Sequence, residues 1–501
     1  MTATEWLIDN ASAYERLLHA IGEARVSVWM TQLAFDADCI AHGASPDADI
    51  KLSEAILAAV TRAPVDVRIV VNSSFLLDTA RPLRRFFDGR LAALGAARGA
   101  IHVRGISDFP RLLHAKVVIV DGTHGFLLGS PFVNGYWDDP QHAPADTRRP
   151  ARELGGRPLH DVSVCVTGGA VGQLEGVFAE IWNGASVDLG SNRAGPQDDA
   201  LIPGGAHHIP AGAIRVVTTS GRRLYRHRPL GSTGILDALL DGISRASDLL
   251  YVEHQYLSAR PIVAALSAAL ERAPGLELIV VLNQNPDVTA YRTWQTDRLS
   301  DSGLLAHPRV GLFALWNSAP GATAGSPMRL NQVFVHSKVV TVDDQWGSVG
   351  SANLDGASLH SYGDDFSSRL GRRVFRHVRN LDVNLVLDET GSAGTGALRA
   401  LRTRLWSEHL GMPATDAVTR PPGGWLSLWR ARAAANVAAL NRSPAAAGLR
   451  GFVLPYSARA TPSAQLADLG VGIDPRRIHV CFDPGWLEVH CSPNWVRNMF
   501  P

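Results

Sequence analysis

The sequence predicts an α/β protein made of two copies of one lobe related by a pseudo-twofold, followed by a C-terminal appendage. Three observations carry that expectation. Four blocks recur in the same order, strand-like runs alternate with helix-like runs within each copy, and the chain beyond Pro413 has no counterpart elsewhere. A long-period repeat changes the architecture to be expected more than any local propensity does.

The recurring blocks are Val28–Gln32 with Tyr251–Gln255, Arg62–Asn72 with Arg272–Asn283, Leu113–Asp121 with Val335–Asp343, and Asp161–Val164 with Asp382–Leu385. Within each copy an amphipathic stretch (Tyr14 to Ala24; Ile235 to Ala246) leads into a short run of Val, Ile and aromatics. An Ala/Leu-rich helical pattern follows (Leu52 to Arg62; Pro261 to Arg272), then a buried-looking strand (Val67 to Val71; Leu278 to Leu282). Such alternation predicts a layered sheet with helices against it, and a continuous apolar run such as Val117 to Val120 fits a strand covered on both faces.

The first lobe is expected over residues 1–205, the second over 206–413 and the appendage over 414–501. The first closes on a helical pattern at Val171 to Trp182 and the second near Trp406 to Leu410. A Gly/Pro-rich stretch from Gly184 to Gly212 reads as the linker, and the appendage holds a further helical stretch, Trp425 to Leu440.

Composition narrows the function. The 501 residues are 46% apolar and 19% charged, and 48 Lys and Arg balance 47 Asp and Glu, which argues against a strongly basic nucleic-acid-gripping surface. No run of 18 apolar residues is present, and Glu5, Asp9 and Glu15 interrupt the region where an export signal would lie. The expected address is therefore the cytoplasm or a membrane periphery, with signal-independent export as the alternative. Cys39, Cys165, Cys481 and Cys491 have neither disulfide-framework nor zinc spacing; buried thiols are expected, with a Cys481–Cys491 bridge possible only outside the cell. His124, His360, His207 and His208 sit in polar, loop-like sequence and are expected to be solvated; Trp425 and Trp486 could form an interfacial lip.

The chemistry sits in two motifs, His114-x-Lys116-x4-Asp121 and His336-x-Lys338-x4-Asp343. In extended chain a spacing of two puts His and Lys on one face, a base or nucleophile beside a fixed positive charge. Gly129-Ser130 with Asn134, and Gly350-Ser351-Ala352-Asn353, follow as small-residue turns whose Ser and Asn can hydrogen-bond phosphate oxygens. Two such faces meeting across a twofold would surround one phosphate with two imidazoles and two ammonium groups. One imidazole would attack phosphorus, the other would protonate the leaving oxygen and later deprotonate water, with no metal or cofactor.

These motifs resemble those of the phospholipase D superfamily, and the second, through Gly350-Ser351-x-Asn353, follows the family pattern without a gap. In the first, Gly129 comes one residue late and Pro131-Phe132 intrude before Asn134. The run Val133–Asp139 resembles bacterial phospholipases D, and Tyr251–Tyr256 is similar to a motif of the eukaryotic type. The resemblance spans roughly residues 10–410. It implies a catalytic set of His114, Lys116, Asp121, His336, Lys338 and Asp343, with His114 the nucleophile and His336 the general acid. Asp121 and Asp343 would hold strand and loop. Ser130, Asn134, Ser351 and Asn353 would bind phosphate, while Asp161 and Asp382 would orient the histidines. Gln32, Gln255 and Glu253 would support the site, the glutamines either structurally or on substrate.

The resemblance implies hydrolysis of a phospholipid headgroup, or its exchange for another alcohol, at a membrane or micelle surface by a monomeric peripheral enzyme. Alternatives are a synthase of the cardiolipin or phosphatidylserine type, a nuclease of the same superfamily, and a lipid-binding scaffold. Retention of both motifs argues against the scaffold, and the presence of both motif aspartates against a tyrosyl-DNA type of nuclease.

Overall fold

A computed structural model describes residues 3–185, 201 and 214–480, apart from 75–76, 96, 109, 151–155, 222–229, 322–325, 367, 391–395, 443–447, 460 and 473–477. Most of the Gly184–Gly212 linker, His207, His208, Cys481, Trp486 and Cys491 lie outside the described residues.

The duplication is visible strand by strand. The first sheet runs Thr4–Ile8, Val162–Thr167, His124–Leu127, Val117–Val120, Ser27–Thr31, Asp66–Asn72, Ala100–Ile106. The second repeats that order with Arg215–Ser220, Asp382–Asp388, Trp346–Gly350, Lys338–Val342, Leu249–His254, Glu277–Leu282, Val310–Ala319. In both, the last three strands are parallel to one another. The other pairings are antiparallel. Right-sized helices separate the parallel strands, Leu52–Arg62 in the first copy and Arg260–Arg272 in the second, each turning its apolar face to its sheet.

The inner faces of the two sheets share one apolar core. Val117, Ile119 and Val164 from the first copy meet Val339, Val349 and Val383 from the second, together with the helices Gly169–Gly184 and Ala397–Leu410. Two short parallel contacts stitch the copies together: Phe334–Val335 pairs with Leu159–His160, and Leu113 bridges to Leu381.

The described part of the appendage joins the second lobe. Helix Trp425–Arg442 buries Trp425 and Trp429 against Trp406 and Phe313, while Val453–Pro455 and Ile478–Val480 extend the second sheet. Trp425 is therefore core rather than an interfacial lip, because its indole packs edge-on against Trp406 and is 5% exposed. His360 also departs from expectation: its ring pairs with Asp364 at 2.5 Å and is largely buried. Cys39 and Cys165 are buried thiols outside any disulfide.

Candidate active site

Both histidine motifs approach the seam between the copies at the start of equivalent strands, Val117–Val120 and Lys338–Val342. The backbone N–H of His114 donates to the carbonyl of Leu381, and that of His336 to the carbonyl of His160, 2.9 and 2.8 Å. Leu381 and His160 each precede the aspartate of the opposite copy. The side chains consequently pair crosswise: His114 Nδ1 lies 2.6 Å from Asp382 Oδ1, and His336 Nδ1 lies 2.9 Å from Asp161 Oδ2.

A carboxylate can only accept, so Nδ1 carries the proton in each ring and Nε2 keeps a lone pair. Both rings line one cavity of about 130 Å³, together with Gln255, Asn353, Tyr256 and Asp287. Burial, then the neighbouring Lys116, hold the His114 imidazole below its ordinary value; burial, then Lys338, bring His336 down to about 3. The free site therefore holds two neutral imidazoles. Burial raises the pKa of Asp161, but the pairing with His336 outweighs it and brings the carboxyl down to about 2, so it remains a carboxylate.

The two lysines are fully buried beside their histidines. Lys116 Nζ donates to the carbonyl of His114 at 2.8 Å, and Lys338 Nζ donates to the carbonyl of His336 and to Gln255 Oε1, the latter at 3.2 Å. Burial, then Lys338, bring Lys116 to about 7; burial brings Lys338 to about 8 against the pull of Asp161. Two crowded ammonium groups with few acceptors form a place suited to an anion.

Several expected phosphate contacts are spent elsewhere. Ser130 Oγ donates to Asp161, and Ser351 Oγ donates to Asp382 at 2.7 Å, so both hydroxyls brace carboxylates. Gly129 is needed for that arrangement, since a Cβ there would collide with the Asp161 carboxylate. Asn134 is turned away: its Oδ1 accepts from Ile40 N and its Nδ2 donates to the Asp38 carbonyl, because buried Phe132 anchors the intervening turn in the outer core. Asn353 does reach the cavity, and its Oδ1 is buried without a hydrogen bond.

Asp121 and Asp343 stand apart from the cavity. The carboxylate of Asp121 accepts from the N–H groups of Arg25, Val26 and Ser27, and that of Asp343 from Ser247, Asp248 and Leu249. Both sit at positive φ, 52° and 53°, in equivalent turns. They lock strand ends and do not belong with groups that touch a substrate. Gln32 is buried with neither amide atom hydrogen-bonded, whereas Gln255 reaches Lys338. Glu253 faces away from the cavity, where it accepts from His160 and His409 at 2.9 and 2.8 Å.

Sequence reasoning passed over most of the cavity wall. Tyr256 and Tyr291 stack at 4.1 Å, and Asp287, Asp355 and Tyr362 lie around them. Tyr256 directly follows Gln255 and Asp355 comes two residues after Asn353, so proximity to the motifs was the available signal; Asp287, Tyr291 and Tyr362 come from loops and helices that carry none.

Residues 239–368 match the family described as cardiolipin synthase, PLD-like domain. Phospholipase D alpha 1 of Cynara cardunculus is 26% identical over 245 residues, 37% of this chain and 29% of that protein. Cardiolipin synthase A of Pseudomonas entomophila (strain L48) is 26% identical over 248 residues, 49% of this chain and 41% of that protein. The chain thus spans less than half the length of these curated relatives. The crystal structure of a phosphatidylserine synthase from Haemophilus influenzae Rd KW20 superposes with a TM-score of 0.50 at 12% identity, over 77% of this chain and 82% of that one. Both His-x-Lys-x4-Asp motifs on a duplicated α/β fold, the PLD-like domain matched over residues 239–368 and these relatives together support the phospholipase D superfamily as the family of this chain.

Proposed function

We propose that the chain is a phospholipase D-type phosphodiesterase that releases a phospholipid headgroup through a phosphohistidine intermediate. The observation that carries this reading is the crosswise pairing: each imidazole is held by the other copy's carboxylate with Nε2 unprotonated, and both rings line one cavity beside two ammonium groups.

Nε2 of His114, the more exposed ring at 12% against 4%, attacks phosphorus while the bond to the headgroup oxygen breaks. His336 gives that oxygen a proton. An arriving phosphodiester anion offsets Lys116 and Lys338 and so favours the imidazolium that this step needs. His336 then takes a proton from water, or from an alcohol, as it attacks the phosphohistidine. The choice of acceptor separates hydrolysis from headgroup exchange, and Asp382 and Asp161 stabilise the imidazolium formed at each stage.

Mixed micelles of common phospholipids with a primary alcohol test this reading. Phosphatidic acid and phosphatidyl alcohol should both form, and His114→Ala and His336→Ala should each abolish both. Transfer only to a lipid alcohol would point to a synthase; cleavage of DNA or an aryl diester with lipid untouched would keep the chemistry and replace the substrate. Silence on every diester together with vesicle binding would favour a scaffold.

A further inference from the structure

On the far side of the Asp161 backbone from the cavity lies a second cluster that the chemistry above does not use. Asp9 starts the first helix, His142 lies in the loop after Tyr136, His160 is in the seam strand Leu159–His160, and Glu408 is in the last turns of Ala397–Leu410. The side chains of Asp9, His142 and His160 are fully buried and that of Glu408 is 13% exposed. We propose that these four residues bind one divalent transition-metal ion, zinc by its ligand preference, as a structural clamp between the two copies.

Tautomers provide the first argument. His142 Nδ1 faces Asp138 Oδ2 at 3.0 Å, and His160 Nε2 faces Glu253 Oε1 at 2.9 Å, so each ring donates its N–H outward to a carboxylate. The remaining nitrogens, His142 Nε2 and His160 Nδ1, both turn towards Asp9 and Glu408. Two ring nitrogens facing two carboxylates in a dry interior, His142 Nε2 at 3.3 Å from Glu408 Oε1 among them, require positive charge between them, either two imidazolium protons or one cation. A carboxylate behind each ligating imidazole is also the usual support of a metal-bound histidine.

Geometry provides the second. His160 Nδ1 lies 3.0 Å from both Asp9 Oδ1 and Glu408 Oε1, yet makes a hydrogen bond to neither, and Asp9 Oδ2 is likewise buried without a hydrogen bond. A proton on Nδ1 would point between two oxygens. A tetrahedral ion with bonds of about 2.0–2.1 Å places its ligands about 3.3 Å apart. His160 Nδ1 lies 3.0 Å from Glu408 Oε1 and from Asp9 Oδ1, and His142 Nε2 lies 3.3 Å from Glu408 Oε1 and 3.7 Å from Asp9 Oδ2, so each ring faces Glu408 and one oxygen of Asp9 at about that spacing. The adjacent trio of His160, Glu253 and His409 differs, because both of its contacts are well-formed hydrogen bonds and need no ion.

Charge balance fits as well. Arg149 pairs with Asp138, which leaves Asp9 and Glu408 to neutralise a doubly charged ion. Two imidazoles and two carboxylates suit zinc better than calcium or magnesium, which favour all-oxygen sets. Glu408 lines an open cavity of about 780 Å³, which gives an ion its route in.

The full chain, purified without a metal-affinity step, should contain close to one zinc per chain by plasma mass spectrometry. After stripping by a chelator, Co²⁺ should restore one equivalent with the intense visible absorption of a four-coordinate site. Glu408→Gln should bind at least tenfold more weakly, while His114→Ala should keep full occupancy, so the result does not depend on the proposed activity. If Glu408→Gln fails to fold, the cobalt spectrum of the unaltered chain decides. A folded chain that is isolated without metal and takes up neither Zn²⁺ nor Co²⁺ would overturn the proposal and leave two imidazolium protons in its place.

Discussion

The two copies hold their histidines alike but treat what surrounds them differently. In the second copy, Gly350-Ser351-Ala352-Asn353 carries Asn353 into the cavity, and Tyr256, Asp287, Tyr291, Asp355 and Tyr362 build most of the wall. In the first, the Pro131-Phe132 insertion turns Asn134 towards Asp38 and Ile40, and that copy contributes little beyond Leu33, Pro110, Leu112, His114 and Tyr136. Symmetry is kept where the reaction needs two equivalent imidazoles and lost where a substrate, which has no twofold, must be recognised. A pocket with one reactive pair and a one-sided wall is the physical result.

Removing one partner of each crossed pair gives the largest expected effects. Asp382→Asn and Asp161→Asn should each lower kcat/KM by about 10²–10⁴-fold, as loss of an orienting carboxylate does elsewhere. Asp382→Asn should reproduce the His114→Ala defect, and Asp161→Asn that of His336→Ala. Single-turnover rates would reveal the reverse assignment, which would break the crosswise account.

A second comparison concerns the asparagines. Asn353→Ala should cost about 10-fold or more in kcat/KM, as loss of a hydrogen bond to a charged group does. Asn134→Ala should leave the rate within about threefold and lower stability by about 1 kcal/mol, the ordinary worth of its bond to Ile40. Equal effects on rate would mean that the first turn also reaches the substrate.

The pH response of Lys116 is smaller and has two signs. Its ammonium titrates near 7 when folded against an ordinary 10.5, because burial and then Lys338 disfavour the charge. The unfolded chain therefore binds more protons between those values, and stability should rise with pH from about 7 to about 10. Activity of the free enzyme, which uses the ammonium, should fall over the start of the same range. Lys116→Met should flatten the stability profile and raise the melting temperature at pH 6; a fall in melting temperature would show the charge to be compensated.

Legibility followed sequence distance. Leu52–Arg62 and Val117–Val120 are the spans that local pattern predicts, and the one-to-one strand order follows from the repeat. A repeat, however, identifies equivalent residues rather than partners. Asp161 and Asp382 stand out as counterparts, but which histidine each holds depends on the seam contacts of His160 and Leu381. The path of the chain at Asn134 is set by where Phe132 finds its core, and Ser130 and Ser351 face carboxylates because those aspartates approach so closely. His142, His160 and Glu408 carry no motif at all, since their meeting is made by packing between the copies.

The most direct test of the central claim is an acid- and alkali-resolved quench of the enzyme turning over a phospholipid labelled at phosphorus. An acid-labile, alkali-stable label is expected on His114 of the unaltered chain, absent in His114→Ala and no stronger in His336→Ala, which lacks the acid that the first step needs. Product formation with no label on either histidine would contradict it, because water would then attack phosphorus directly and the paired imidazoles would not form a covalent site.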